Sequence, residues 1–381
     1  MSILSSLFGK KGNKDNPKVN VNEPVTVVQK NETMSASTSY HLRGLPDANG
    51  LYPSELVMLS VAEKYKTTET NYPKYLTYNY EIPNPLKMLK DLKARGFVRE
   101  GSSIETLSIL KLQELKTIAS QLNIKGKAKK EDVIAQLSKE DEKAISEIVS
   151  DRAWKLTDIG EAAVKANPYI QYFLEEHSYN IAEVGVTIWT VNEDYVKNPK
   201  RLYRDIIFRQ LNDQMNNAHL DFMAKHTLGS TSTQKYCECY RMMGLFIEEE
   251  GKSYINAADY YFQYIYKNIN IHAGLQLVNG YKLKMIMKDT KNLTELYNRY
   301  YDDIKLYPFQ RTELQRLIDE LGVPGEDVRG SLIDSFMRAD DTGIMTVNEA
   351  ADFVLLELTG NIDKSRDLSD KLAKKALKSV R

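Results

Sequence analysis

Residues 107–137 read LSILKLQELKTIASQLNIKGKAKKEDVIAQL. Leu107, Leu112, Leu115, Ile118, Ala119 and Leu122 recur at helical spacing and give one apolar face. The run Asn123-Ile124-Lys125-Gly126 breaks the period, because Asn and Gly favour turns over a helix interior. Glu131 and Asp132 then stand where a helix N-terminus favours negative charge, and Val133, Ile134 and Leu137 begin a second apolar face. Between the two predicted helices lie Lys125, Lys127, Lys129 and Lys130. Four ammonium groups beside a helix start create local positive potential, and backbone N–H groups there can meet a phosphate. Arg, the usual reader of guanine edges, is absent from the loop, so the surface contacts phosphates without reading sequence. The plainer alternative is a solvated lysine loop on a small helical hairpin.

Two short helices joined by a basic turn resemble the SAP domain, a small DNA-binding helix–extended–helix module. The chain departs from that pattern at Ala128, where the family usually has Gly, and at Gln136, where it often has a basic residue. The resemblance implies duplex DNA as partner, with Lys125, Lys127, Lys129 and Lys130 as phosphate contacts.

Outward from this stretch, Tyr52-Pro53-Ser54-Glu55 opens a helix, with Leu56, Leu59 and Ala62 on one face. The Tyr- and Thr-rich segment YPKYLTYNYEI (72–82) has strand-like composition. In NPLKMLKDLKARGFVREG (84–101), Asn84 is placed to cap a helix and Pro85 to take its first position. Leu86, Leu89 and Leu92 form the face, Gly96 stops the helix and Phe97-Val98 start a strand. Beyond residue 150 come Trp154, Leu156 and Gly160 in WKLTDIGEAAVKA. A helix ending in RGFV, answered by a strand with LTxxG and a further helix, resembles the wing of a winged-helix domain. In that resemblance Leu86–Arg95 is the recognition helix, Phe97-Val98 and Trp154–Leu156 are the wing strands, and the SAP-like module is inserted at the wing tip, where a fold tolerates extra residues. Lys87 and Lys90, and less well Lys93, share one face for phosphates, with Arg95 at the helix end. A solvated face balanced by Asp91 is the alternative.

The expected fold is mainly α. Residues 1–38 form a tail, whose Ile3, Leu4, Leu7 and Phe8 are an apolar cluster before Lys10 and Lys11. Residues 39–168 form a winged-helix-like domain with the SAP-like insertion at about 104–140. Residues 169–306 form a helical domain, with a short strand expected at Val184–Ile188. Within it Met243, Leu245 and Phe246, followed by Ala257, Ala258, Tyr261 and Ile265, look like one tetratricopeptide-type helix pair, or more generally a helical layer. Its dense tyrosines read as core packing. Residues 307–381 hold C-terminal hairpins in which Leu314, Leu317, Ile318, Leu321, Val323, Val328 and Leu332 repeat the leucine spacing of the lysine-loop hairpin, with Pro324-Gly325-Glu326-Asp327 in place of lysine. The closing LAKKALKSVR reads as a basic helical tail.

The 52 basic and 52 acidic residues cancel, so any nucleic-acid contact must come from a local patch. No apolar run is long enough to span a bilayer, and the first residues do not make a signal peptide. Cys237 and Cys239 cannot complete a zinc site, and on a helix they point apart, so a mutual disulfide is not expected. A cytoplasmic, reduced setting follows. The five histidines (41, 177, 219, 226 and 272) are scattered, and neither a phosphate loop, a dinucleotide fingerprint, a nucleophile elbow nor a zinc-protease motif occurs. RADDTGIMTVNE (338–349) resembles an EF-hand loop but has Arg338 at the first ligand position, so no metal is expected. No cofactor and no catalytic constellation are expected either. The reading is a non-enzymatic DNA-binding protein resembling SAP-containing proteins of Gram-positive bacteria and their phages, whose helical C-terminal half holds a protein partner or a second copy. A protein-interaction scaffold, or a structural component of a phage or prophage particle, is the alternative.

Overall fold

Proline and polar caps set the first helices of the computed structural model, which describes residues 42–380 apart from 125–126, 178, 226–230, 252, 290 and 340–342. The expected tail, 1–38, and its apolar cluster lie outside the described residues. Pro53 opens α1 (Pro53–Ala62), and the Tyr52 N–H donates to Oε2 of Glu55 at 2.9 Å. Leu56, Val57, Met58 and Leu59 are all fully buried, and with Ser54 and Glu55 also buried α1 is enclosed on nearly every side. The segment expected as a strand instead holds α2 (Tyr75–Tyr80). Leu76 and Tyr80, one turn apart, are buried on one side, and Glu81 ends the helix in the left-handed region at φ 57°. In α3 (Pro85–Ala94) the Asn84 side chain accepts from the Lys87 N–H at 3.0 Å, and Met88, Leu89 and Leu92 pack beneath.

The chain then extends as β1 (Val98–Glu100) and returns about fifty residues later as β2 (Trp154–Leu156). The two pair antiparallel, Val98 with Leu156 and Glu100 with Trp154, and Lys66 bridges to Ala153 on the other side. Between the strands fold α4 (Ser103–Thr106), a 3-10 turn (Leu107–Ile109), α5 (Leu112–Gln121), α6 (Lys130–Leu137) and α7 (Glu142–Ile148). These elements share a core of their own, built on Leu107, Leu115, Ile118, Val133, Leu137 and Ile145. Buried Thr106 fixes the insert to its host by accepting the Ala153 N–H at 3.0 Å.

After β2, Thr157 caps α8 (Asp158–Ala166) by accepting the Gly160 N–H at 3.2 Å. A Cβ on Gly160 would stand 2.1 Å from the Phe97 carbonyl oxygen, so this glycine is what lets α8 close on the strand. Next comes α9 (Pro168–Leu174). The strand expected at 184–188 is instead a 3-10 turn (Ile181–Val184) and the capped start of α10 (Ile188–Lys197), where Thr187 and Thr190 exchange hydrogen bonds. Buried Asn192 of α10 grips both backbone groups of Leu45. His177 links the end of α9 to the next layer: Nδ1 lies 2.7 Å from Glu249 and Nε2 lies 2.8 Å from the Tyr172 carbonyl. With acceptors on both sides the ring is built to hold two protons. Burial opposes the charge, but the bonds to Glu249 and Tyr172 outweigh it and raise the His177 pKa.

Among the described residues of the C-terminal half, every regular element is a helix. This half comprises α11 (Tyr203–Lys225), α12 (Thr231–Gly251) and α13 (Tyr254–Lys267), then a π-helical turn (Asn268–His272) leading into α14 (Ala273–Ile286). There follow α15 (Thr294–Ile304), α16 (Pro308–Leu321), α17 (Val328–Arg338), α18 (Val347–Leu358) and α19 (Ile362–Val380). The most extensive pairing among the described helices is α12 with α13, where a Cβ on Gly244 would stand 3.1 Å from the Ala257 carbonyl. One apolar core takes side chains from Cys237 to Leu377, among them Tyr261, Tyr264, Tyr266, Tyr300 and Tyr301. The stretch expected as a basic helical tail is helical, forming the end of α19, and its Leu372, Ala373, Ala376 and Leu377 are buried in that core. Cys237 and Cys239 are buried on α12 without a disulfide. No helix of the described residues is long and apolar enough to cross a membrane.

Candidate nucleic-acid interface

The lysine loop is presented by two well-anchored helices. The Lys111 N–H donates to Glu114 at 2.7 Å and starts α5. At its end Asn123 takes a left-handed φ of 57° and the Ile124 N–H returns to the Ala119 carbonyl at 2.8 Å, which turns the chain outward. Leu115, Val133 and Leu137, all fully buried, hold α5 against α6. Lys129 is the extended residue before α6 and makes no side-chain cap, and Glu131 and Asp132 occupy the first turn. Lys127 and Lys129 are exposed and Lys130 is half-buried, and none of the three forms an ion pair with a described residue. Lys125 lies outside the described residues. Glu131 and Asp132 repel an approaching phosphate, yet residues 125–132 keep two net positive charges.

Elsewhere in the N-terminal part several basic side chains are engaged, whereas Lys64, Lys74, Lys111, Lys116, Lys139, Lys143 and Lys165 are exposed without an ion pair among the described residues. Lys93 pairs with Glu100 at 2.6 Å. Arg99 holds Glu105 through two contacts of 2.6 and 2.8 Å, and these bonds pull the Glu105 carboxyl down to about 2. Arg95, at the end of α3, reaches Glu55 at 2.5 Å and the Gly50 carbonyl at 2.9 Å. Burial raises the Glu55 pKa, with the Tyr52 N–H and Arg95 pulling it the other way. Lys66 meets Asp151 at 3.1 Å and Glu114 at 3.8 Å, and Lys155 meets Glu63 at 3.4 Å. On α3, Lys87 is half-buried, whereas Lys90 is exposed with no ion pair among the described residues. The loop before α6 is thus the densest run of unpaired lysines in the N-terminal part, with three of its four described positions 127–130 lysine, while single unpaired lysines such as Lys90 lie elsewhere.

No known family, curated protein or solved structure matches this chain.

Among the described residues, no group of three or more His, Cys, Asp and Glu side chains could hold a metal ion. In the EF-hand-like stretch, Asp340 and Thr342 lie outside the described residues, and Arg338 is bound to Asp259 at 2.6 Å. A Cβ on Gly343 would stand 2.4 Å from the Asn270 side chain, whose Oδ1 accepts the Met345 N–H at 2.6 Å, so this glycine serves close packing. Thr346 caps α18 through a reciprocal pair with Glu349.

A second polar constellation has no local sequence signature. Fully buried Lys267, at the end of α13, donates to the Tyr236 hydroxyl and to the Ala339 carbonyl, each at 3.0 Å. It lies over the rings of Tyr236 and Tyr240, at 4.7 and 4.4 Å from their centroids. The same hydroxyl is 2.9 Å from Nδ1 of His219 on α11. These residues come from three helices, so only the packing of α11, α12 and α13 reveals them.

Proposed function

We propose that this protein is a non-enzymatic DNA-binding protein that grips duplex phosphates through the loop before α6. Lys125, Lys127, Lys129 and Lys130 are the main contacts, with Lys87 and Lys90 of α3 as a second patch. The observation that carries the reading is the clustering of unpaired lysines at 127–130, the densest such run in the N-terminal part. Lys93, Arg95, Arg99, Lys66 and Lys155 are satisfied by carboxylates, whereas Lys127 and Lys129 stand exposed without one. Such lysines add little to folding and supply the counterion-releasing contacts on which phosphate binding rests. The order α1, Lys66 bridge, α2, α3, β1, β2 supports a winged-helix resemblance, and the two helices around the lysine loop support the SAP resemblance. In this reading the C-terminal helices serve a protein partner or self-association. A scaffold, or a phage or prophage structural component, without DNA is the second reading. It is favoured by the apolar end of α14, where Leu283, Met285, Ile286 and Met287 are all exposed.

A salt titration of binding to a random-sequence duplex tests the proposal. Six phosphate contacts give a slope of log affinity against log salt of about −5, or on the order of a thousandfold loss between 50 and 200 mM. Changing the four loop lysines together to Ala leaves a slope of about −2, and about a tenfold loss over the same range. Equal slopes for the two proteins, or no binding by the intact protein at low salt, would reject this interface.

A further inference from the structure

The last turns of α14 break the rule that a surface helix keeps its outer side polar. Leu277 and Tyr281 are buried and face the core. Leu283, Ile286 and Met287, spaced three and four apart, fall on the opposite side of the helix and are 57%, 79% and 68% exposed. Met285 beside them is exposed as well. Large apolar side chains gathered in water mark a contact surface.

The charges around the stripe select its partner. Residues 282–295 carry four lysines against two acids, and both acids, Asp289 and Glu295, lie 3.2 Å from the Lys284 ammonium. Lys282, Lys288 and Lys291 are exposed and make no ion pair with a described residue. A further cation comes from another element. Arg366 lies over the Tyr301 ring at 4.8 Å and Lys374 over the Tyr297 ring at 5.5 Å, so α19 runs antiparallel to α15. Its basic end, with exposed Lys378 one turn beyond Lys374, thus comes up beside the start of α15 and the turn after α14.

The turn itself is closed. The Met287 and Lys288 N–H groups return to the Leu283 and Met285 carbonyls at 3.0 Å, and the Asp289 N–H to Lys284 at 2.9 Å. Fewer carbonyls are then left to strip of water at an apolar phase. Lys288 takes a left-handed φ of 58°, where a helix end favours glycine. A lysine there, against the backbone preference, sets a cation directly after Met287.

We propose that the α14–α15 turn is a peripheral membrane contact, which dips Leu283, Ile286 and Met287 into the interface of an anionic bilayer while Lys282, Lys288, Lys291 and Lys378 meet its headgroups. Exposed apolar side chains alone would suit a protein partner; the unpaired lysines around them match a negative surface with an apolar phase beneath it. A duplex offers phosphates but nothing for Ile286 to enter. Attachment through one such cluster is reversible. The contact is independent of the DNA reading, because it lies wholly in the C-terminal helices.

The test is flotation of the full chain with vesicles of phosphatidylcholine, alone or with about one-third phosphatidylserine. The expected result is binding to the anionic vesicles at least about tenfold tighter than to the neutral ones, weakening with salt. Ile286→Asp, at a mostly exposed position that folding tolerates, weakens binding by about tenfold or more, and Ile286→Trp shows blue-shifted emission quenched by brominated lipid. Lys288→Gly separates charge from fold: it relieves the left-handed backbone, so the melting temperature holds or rises, while vesicle affinity falls about fivefold. Changing Lys125, Lys127, Lys129 and Lys130 together to Ala leaves the Ile286-dependent binding in place, whatever it does to DNA affinity. No flotation at low salt, equal affinity for the two vesicles, indifference to Ile286→Asp, or loss of all vesicle binding in the loop variant would overturn the proposal. Self-association lost in Ile286→Asp, with no vesicle binding by the intact chain, would instead make the stripe an interface between copies.

Discussion

Replacing Arg95 by Met takes away the only described cation on a buried carboxylate and keeps the aliphatic length of the side chain. Glu55 is 5% exposed at its side chain, and Arg95 is 29% exposed. Truncating one member of a buried pair costs about 3–5 kcal/mol because the other is left charged and unpaired, and the partial exposure of Arg95 places the expected loss near about 3 kcal/mol at pH 7.5. The lost contacts to the Gly50 carbonyl and the Phe97 ring are included in that figure. The pH dependence follows from the sign of the Glu55 shift. Its folded pKa is raised by burial, so the folded protein holds this proton more tightly than the unfolded chain. Stability from this group therefore falls as pH rises from the ordinary glutamate range through the raised folded value. Without Arg95 the folded value rises further, and the window widens. Denaturant unfolding should accordingly find Arg95→Met less destabilised at pH 5 than at pH 7.5. Adding Glu55→Gln, which removes the stranded charge and still accepts the Tyr52 N–H, should return at least about 1 kcal/mol. A loss below about 1 kcal/mol that is equal at both pH values, or further destabilisation in the double variant, would refute the reasoning. DNA affinity, measured in the folded range, should change little, since Arg95 is already engaged.

Gly160→Ala should cost at least about 2 kcal/mol, seen as a lower melting temperature, because its Cβ has no room beside the Phe97 carbonyl. Leu137→Ala should cost about 3 kcal/mol, and hydrogen exchange should show the loss centred on residues 103–149, whose core is their own, and reaching the β1–β2 pair that the insert closes. His177 has a raised folded pKa, so its stabilising contribution is full below the ordinary histidine range and fades as pH rises through the folded value. His177→Gln should flatten that part of the stability–pH curve, and an unchanged curve would exclude the doubly bonded imidazolium.

Helix starts were legible wherever a cap and a proline coincide, as at Asn84-Pro85, because those residues act through their nearest neighbours. The turn after α5 was equally legible, since Asn123 takes the left-handed backbone its side chain tolerates. Tyr72–Ile82 misled because tyrosine enrichment in strands reflects half-buried surfaces, and here one buried turn, Leu76 to Tyr80, supplies the same burial on a helix. The end of α19 is the helix its sequence suggested, but its lysines gave no sign that Leu372, Ala373, Ala376 and Leu377 pack into the core. On the candidate interface, the lysines were visible in the sequence, but the engagement of Lys93 and Arg95 by Glu100 and Glu55 was not, since those carboxylates arrive from other elements. The His219–Tyr236–Lys267 chain joins positions 17 and 31 residues apart on separate helices, and no spacing rule relates them.

The insert between β1 and β2 leaves and returns at adjoining positions, Glu100 beside Trp154. While α4–α7 are folded, the strand pair is closed by what amounts to a short rigid staple; when they unfold, the same two strands must be held across a floppy loop of about fifty residues. Loop closure scales as three-halves RT times the logarithm of length, so the difference is about 2 kcal/mol, on the order of what a three-residue strand pair can contribute. The stability of the strand pair is therefore mortgaged to the folding of the insert. By reciprocity, any ligand that binds only the folded insert tightens the strands and the closure of α8 upon them, and any substitution that loosens the strands weakens that ligand's hold. Phosphate contact at the lysine loop would in this way be felt at Gly160 and Phe97, with no displacement of either.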